Sequence, residues 1–159
     1  MTIRLFRVDE RLIHGQVVVG WGRRLHPRKV IVVHDELAGS AGEQDLYRAG
    51  LPQGIAAEFW TEREAIARLP SVEASEEAAI VLTEDLDTME RLVDGGIEIA
   101  EVNVGGIHAA AGRRRVLPYV CLDEEDVGTI RALESRGVHV TAQDLPSTSP
   151  VRLVERAAG

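Results

Sequence analysis

Aromatic side chains are scarce in this chain, at 4% of 159 residues. A core here cannot rest on rings, so it must be built from Val, Ile, Leu and Ala, the composition of buried strands in a parallel sheet. Cysteine is nearly missing. Cys121 stands alone in the apolar segment Leu117 to Leu122, so no internal disulfide is possible and a reducing cytoplasm is the expected setting. The five histidines and the one cysteine show no metal-ligand spacing, and neither a metal nor a cofactor is expected. No apolar run reaches the ~18 residues needed to span a bilayer. The opening MTIRLFRVDERL, charged at Arg4, Arg7, Asp9, Glu10 and Arg11, is no signal peptide. Any membrane role is therefore expected to be peripheral, by docking to a membrane protein. Lysine is reduced to Lys29, leaving Arg to carry the positive charge. A net charge of -8 argues against general binding to nucleic acid or anionic membranes. The stretch Gly15 to Gly20 has the glycine spacing of a phosphate-binding loop. Trp21-Gly22 follows where Lys-Ser/Thr is required, so no nucleotide site is implied.

What the chain does have is alternation. Short apolar runs at Ile3 to Val8, Lys29 to His34, Ile55 to Trp60, Ala78 to Leu82, Ile99 to Val104, Val116 to Leu122 and Val138 to Ala142 predict strands. Between them, Gly15 to Leu25, Glu43 to Ala49, a segment capped by Thr61, Asp85 to Val93, and Asp123 to about Arg136 predict helices, with a short one after Pro150. This order predicts an α/β fold. It is a single-domain open, mostly parallel β-sheet flanked by helices on both faces, covering 1–159 without an internal boundary. Such sheets bind ligands at the carboxyl ends of their strands. The loops to watch are thus Asp9 to His14, His34 to Glu36, Thr83 to Asp85 and Gly105 to Arg115.

One segment combines the groups that phosphate chemistry needs. In RVDERLIHGQV, residues 7–17, His14 falls where a strand gives way to a helix, and free amides at a helix start attract anions. Arg7 and Arg11 are near enough to bond phosphate oxygens. Asp9 offers a carboxylate that would either hold one imidazole N–H, freeing the other nitrogen as a nucleophile, or orient Arg11.

RVDERLIHGQV resembles the active-site loop of IIB components in the mannose/fructose/sorbose class of the phosphotransferase system. KVIVVHDELA, MERLVDGGIEIAEVNVGGIH and VCLDEEDVGTIRALESRGVHVTAQDLP resemble later parts of the same family, in order and over nearly the whole chain. The resemblance implies a phosphohistidine-sugar phosphotransferase with His14 as carrier, phosphorylated on the Nδ1 side. It implies a IIA phosphocarrier as donor, and a sugar translocated by IIC and IID membrane components as acceptor. Arg11 and Asp9 match the residues that shape the pocket, and Gly15 and Gln16 match the start of the helix. His34 departs from the small or polar residue expected there. Thr83-Glu84-Asp85-Leu86-Asp87 departs from a proline-containing turn. A module that senses phosphorylation without moving sugar is the alternative reading.

Further candidate groups lie outside this segment. Gly105, Gly106 and His108 follow a predicted strand and are candidates to touch phosphate. His34 is a weaker candidate, and His26 and His139 read as structural. Arg113-Arg114-Arg115 is a candidate docking patch for an acidic partner surface. Gly20, Trp21 and Gly22 suggest close packing of the first helix against the sheet or a second subunit, and a homodimer is one option.

Overall fold

The computed structural model describes residues 2–15 and 17–157. Strands β1 (Ile3–Asp9), β2 (Lys29–Val33), β3 (Ala56–Trp60), β4 (Ala79–Thr83), β5 (Glu101–Gly106), β6 (Arg114–Leu117), β7 (Val120–Leu122), β8 (His139–Ala142) and β9 (Val151–Arg152) alternate with helices. The helices are α1 (Gly22–Leu25), α2 (Asp35–Ala38), α3 (Ala41–Ala49), α4 (Glu62–Glu73), α5 (Leu86–Asp94), α6 (Glu124–Ser135) and α7 (Leu153–Ala157). Seven strands form one sheet in the order β3-β2-β4-β1-β5-β8-β9, parallel except for β9. β6 and β7 form a separate antiparallel pair.

Strand pleating divides the aliphatic residues between two cores. In β2, Ile31 and Val33 join the core under α4, α5, α6 and α7, while Val30 and Val32 join the one under Trp21, Leu37 and Tyr47. β4 divides in the same way, Ala79 and Val81 against Ile80 and Leu82. Helices therefore cover both faces. The chain leaves β1 toward the layer of α1, α2 and α3, whereas it leaves the adjacent β4 toward α5 in the opposite layer. Diverging connections from neighbouring strands open a crevice at their carboxyl ends. His14 and Glu84 both line the depression found there.

Local chemistry sets the helix starts. Thr61 and Glu64 form a reciprocal capping box at α4: the Glu64 amide donates to Thr61 Oγ1 at 3.1 Å, and the Thr61 amide donates to Glu64 Oε1 at 3.3 Å. Asp123 and Asp126 do the same at α6, and the Asp85 carboxylate accepts from the Thr88 amide at 2.8 Å to start α5.

Four expectations are corrected. Val116 to Leu122 is not one strand but the β6–β7 hairpin, turned at Pro118-Tyr119, where proline has no N–H to continue a ladder. Gly15 to Leu25 is not a regular helix. Val17–Trp21 is a π-helical segment, followed by the single α-turn of α1, which His26 closes in a left-handed conformation at φ 48°. Gly20 lies there against Pro146, where a Cβ would meet the ring at 3.2 Å, so its close neighbour is the segment after β8 rather than the sheet itself. α2 arises where no helix was expected, because the His34 ring caps it by accepting from the Leu37 amide at 3.2 Å. β9, also unexpected, pairs with β8 and makes the sheet mixed.

Thr61→Ala removes the half of the α4 capping box in which Thr61 Oγ1 accepts from the Glu64 amide, and leaves the amide of residue 61 free to donate to Glu64. It should lower unfolding stability by about 1 kcal/mol. A urea unfolding midpoint unchanged at constant m-value would show that this half of the box contributes nothing.

Candidate functional site

The site is built on the end of β1. Residues 7 and 9 share a face of that strand by its period of two, so Arg7 and Asp9 stand side by side, and both are 0% exposed. After Asp9 the chain turns sharply: the Leu12 amide donates to the Asp9 carbonyl at 2.9 Å, and Leu12 takes φ 57°. A branched side chain is strained in that left-handed region. Leu12 is held there by complete burial in the core beneath α1, α2 and α3. The reversal returns His14 to the carboxylate it has just left.

Asp9 is the hub. Its Oδ2 lies 3.1 Å from His14 Nε2. Its Oδ1 accepts from Arg11 Nε at 3.1 Å and from the Arg11 amide at 3.0 Å, and its Oδ2 from Arg11 Nη2 at 3.1 Å. Arg7 Nη2 stands 3.6 Å away. An ionised carboxylate only accepts, so Nε2 bears a proton, and Nδ1 is the nitrogen that carries the lone pair in the neutral tautomer. Burial alone would raise the Asp9 pKa. The bonds from His14 and Arg11 outweigh it and hold the carboxyl at about 2, below its ordinary 3.8.

Arg7 does not reach an open surface, which corrects its assignment as a phosphate ligand. Its guanidinium donates to the carbonyls of Gln143 at 2.9 Å and Asp144 at 3.2 Å and to the Asn103 side chain, and it lies 5.2 Å from the centre of the Trp21 ring. Burial pulls its pKa down and the Asp9 charge opposes that. Gly105 and Gly106 serve the same buried group. A Cβ at Gly105 would overlap the Arg7 guanidinium, and one at Gly106 would come 3.1 Å from Asp9 Oδ1 and 3.4 Å from Arg11 Nη2. Both glycines are buried, so they make room for the site from behind.

His14 opens into a depression of about 620 Å³ that Gly15, His34, Glu36, Leu37, Glu43 and Glu84 help to line. Three of the four loops expected at the strand ends meet there. The fourth does not: His108 is 57% exposed, sits 3.4 Å from Glu10, and is not among the lining residues. Arg113 is bound to Glu10 at 2.7 Å and to Asp126 at 3.5 Å, so the arginine run is not three free charges. Gln16 lies outside the described residues.

Sequence reasoning gave His34 little weight and did not pair it with Glu84. Its Nδ1 accepts the Leu37 N–H, so Nε2 bears the proton and donates to Glu84 Oε2 at 2.9 Å. The pairing depends on β2 lying beside β4. Asn103 was overlooked as well, although a polar residue inside the apolar strand EVNVGG is a visible sign of a buried polar partner. Among the described residues, no three or more His, Cys, Asp or Glu are grouped to hold a metal ion, and no helix is long and apolar enough to cross a membrane.

Fold and site can now be set beside known proteins. The family model of the "PTS system sorbose subfamily IIB component" matches residues 3–156, and the chain belongs to that family. It is thus a member of a family of IIB components of sugar phosphotransferase systems. The N-acetylgalactosamine-specific phosphotransferase enzyme IIB component 2 of Escherichia coli K12 is 34% identical over 152 residues, 96% of each chain. The mannose-specific EIIAB component of the same strain is 30% identical over 155 residues, 98% of this chain but 48% of that one, so this chain spans about half its length. The crystal structure of the IIBSor domain of the sorbose permease from Klebsiella pneumoniae superposes with a TM-score of 0.91 at 26% identity, covering 99% of this chain and 97% of that one.

The depressed Asp9 pKa sets a pH window. The folded value lies below the unfolded one, so its stabilisation is complete above about pH 4 and lost as pH falls through about 2, a contribution of roughly 2 kcal/mol. Asp9→Asn should therefore be markedly less stable than the parent at about pH 5, with the gap narrowing toward about pH 2. A gap that stays constant in urea titrations across that range would show that the carboxylate is not held in this way.

Proposed function

We propose that His14 is the phosphoryl carrier of this IIB component. It takes the group onto Nδ1 from a phosphohistidine on a IIA protein and gives it to a sugar translocated by IIC and IID components. The observation that carries this is the 3.1 Å bond between His14 Nε2 and Asp9. It turns Nε2 to the carboxylate and leaves Nδ1 as the nitrogen available for attack, at the rim of an open depression.

The donor's P–N bond breaks as the His14 Nδ1–P bond forms, with incoming and leaving nitrogens in line. The transition state is loose and its charge is spread over the phosphoryl oxygens, so catalysis rests on positioning and charge stabilisation. Asp9 positions the ring and stabilises the positive charge that gathers on it. Arg11, partly exposed and fixed by two bonds to Asp9, is the cation within the loop that is placed to meet phosphoryl oxygens. Arg7 acts at one remove, by holding Asp9. In the second half of the cycle the Nδ1–P bond breaks and a P–O bond forms to a sugar hydroxyl, whose proton is released. The chain would work in the cytoplasm, docked to the membrane components.

The test is a relay assay with labelled phosphoenolpyruvate, the general phosphotransferase proteins and a mannose-class IIA protein. Acid-labile phosphate should map to His14 by mass spectrometry. His14→Ala should take up none while keeping its fold by circular dichroism. Asp9→Asn should label at least about tenfold more slowly, since the ring loses the charge that orients it. Full labelling of His14→Ala, or none of the parent with several competent donors, would sink the assignment.

A further inference from the structure

The turn that carries His14 is held from two sides. Asp9 fixes it from within. Glu10, the next residue, engages a different set of partners on the outside. Its amide donates to the Gly106 carbonyl at 2.9 Å. Its Oε1 accepts from the His108 amide at 3.2 Å and from Arg113 Nη1 at 2.7 Å. Arg113 reaches further. Its Nη1 also donates to the His108 carbonyl at 3.0 Å, and its Nε lies 3.5 Å from Asp126 Oδ2. Asp126 is itself fixed, because it shares the capping box at the start of α6. One guanidinium thus joins the turn after β1, the loop after β5 and the first turn of α6.

Isolated ion pairs in full contact with water contribute little, but this one is neither isolated nor fully exposed. The side chains of Arg113, Glu10 and Asp126 are 21%, 26% and 16% exposed. Burial works to lower the Arg113 pKa, yet the Glu10 bond and the Asp126 charge outweigh it and raise it. The other two arginines of the run turn elsewhere. Arg114 donates to the Ala157 carbonyl at 2.9 Å, and Arg115 donates to the Pro118 carbonyl. The turn needs an outer anchor. Leu12 is held in a strained conformation at φ 57°, and Arg11 stands between Glu10 and Leu12. A turn freed at Glu10 would relax and carry the Arg11 guanidinium away from Asp9.

On the reading that His14 is the carrier, we propose that Glu10 and Arg113 are positioning residues for phosphoryl transfer. They act through the backbone of the turn, which keeps Arg11 aimed at the group that moves. Arg113 thereby belongs to the histidine loop rather than to a docking patch shared with Arg114 and Arg115.

Charge and position can be separated by experiment. Glu10→Ala and Glu10→Gln remove the same negative charge, but only the glutamine still accepts from Arg113 and the His108 amide. Labelling is measured from a mannose-class IIA protein and from phosphoramidate, a small donor that needs no protein docking. In the second reaction the donor P–N bond breaks, the Nδ1–P bond forms and ammonia departs. Glu10→Ala and Arg113→Ala should each lower the maximal rate about tenfold with both donors and leave the KM for the protein donor unchanged. Glu10→Gln should stay within about threefold of the parent. The double alanine variant should be no slower than either single one, because both cut the same link. Arg114→Ala should label at the parental rate, and so should Thr61→Ala, which loses stability at a distance. Circular dichroism checks each fold. Equal rates for Glu10→Ala and Glu10→Gln would assign the effect to charge and overturn the proposal. Effects that multiply in the double variant, or a change confined to KM, would overturn it too. A second readout is independent of labelling. The Arg11 Nε–H, bonded to Asp9, should exchange with solvent about tenfold faster in Glu10→Ala and Arg113→Ala than in the parent, as followed by NMR. Unchanged exchange in both would overturn the positioning role. If the parent takes label from neither donor, the carrier reading falls, and the exchange rate still decides whether the pair holds Arg11.

Discussion

A carboxylate shut away from water must be met by enough donors and positive charge to replace its hydration, and Asp9 imposes that demand at the end of the central strand. Its neighbours follow from it. Arg7 lies alongside on the same strand face, Arg11 folds back with two side-chain bonds and one from its amide, and His14 completes the set with Nε2. The tight turn and the left-handed Leu12 are what the backbone must do for a residue five positions on to return to the same oxygen. The ring is thereby given one tautomer and one orientation before any partner arrives.

The site is rigid behind and open in front. Behind, the Arg7 guanidinium is tied to backbone carbonyls of residues 143 and 144, which follow β8, so the loop is braced by a strand two places away in the sheet. In front, the depression is bordered by a short helix with no buried residue. A group-transfer site benefits from this division, because the reacting nitrogen stays fixed while the contact surface adapts to another protein.

Much of this was legible in the chain. The alternating aliphatic runs and helix caps predict the layers because burial and capping act over a few residues. The His14 loop was visible because all its interacting groups lie within eight positions. What escaped depended on distance. The β6–β7 hairpin interrupts what reads as one apolar run, and the β8–β9 pairing rests on strand adjacency. Arg7 reads as a phosphate contact until its partners at 103, 143 and 144 are known. The His34–Glu84 pair joins residues 50 apart, brought together only by the strand order.

Gly105 and Arg7 occupy, in effect, a single volume: the guanidinium fills the space where a side chain on the neighbouring strand would start. The two positions are therefore one unit of inheritance. A lineage that gains a β-carbon at 105 must first shorten residue 7, and one that shortens residue 7 leaves both Asp9 and the hole beside it to be compensated together. Drift at either position is closed unless the other moves with it, so the back of the site should change by paired replacement rather than by single steps.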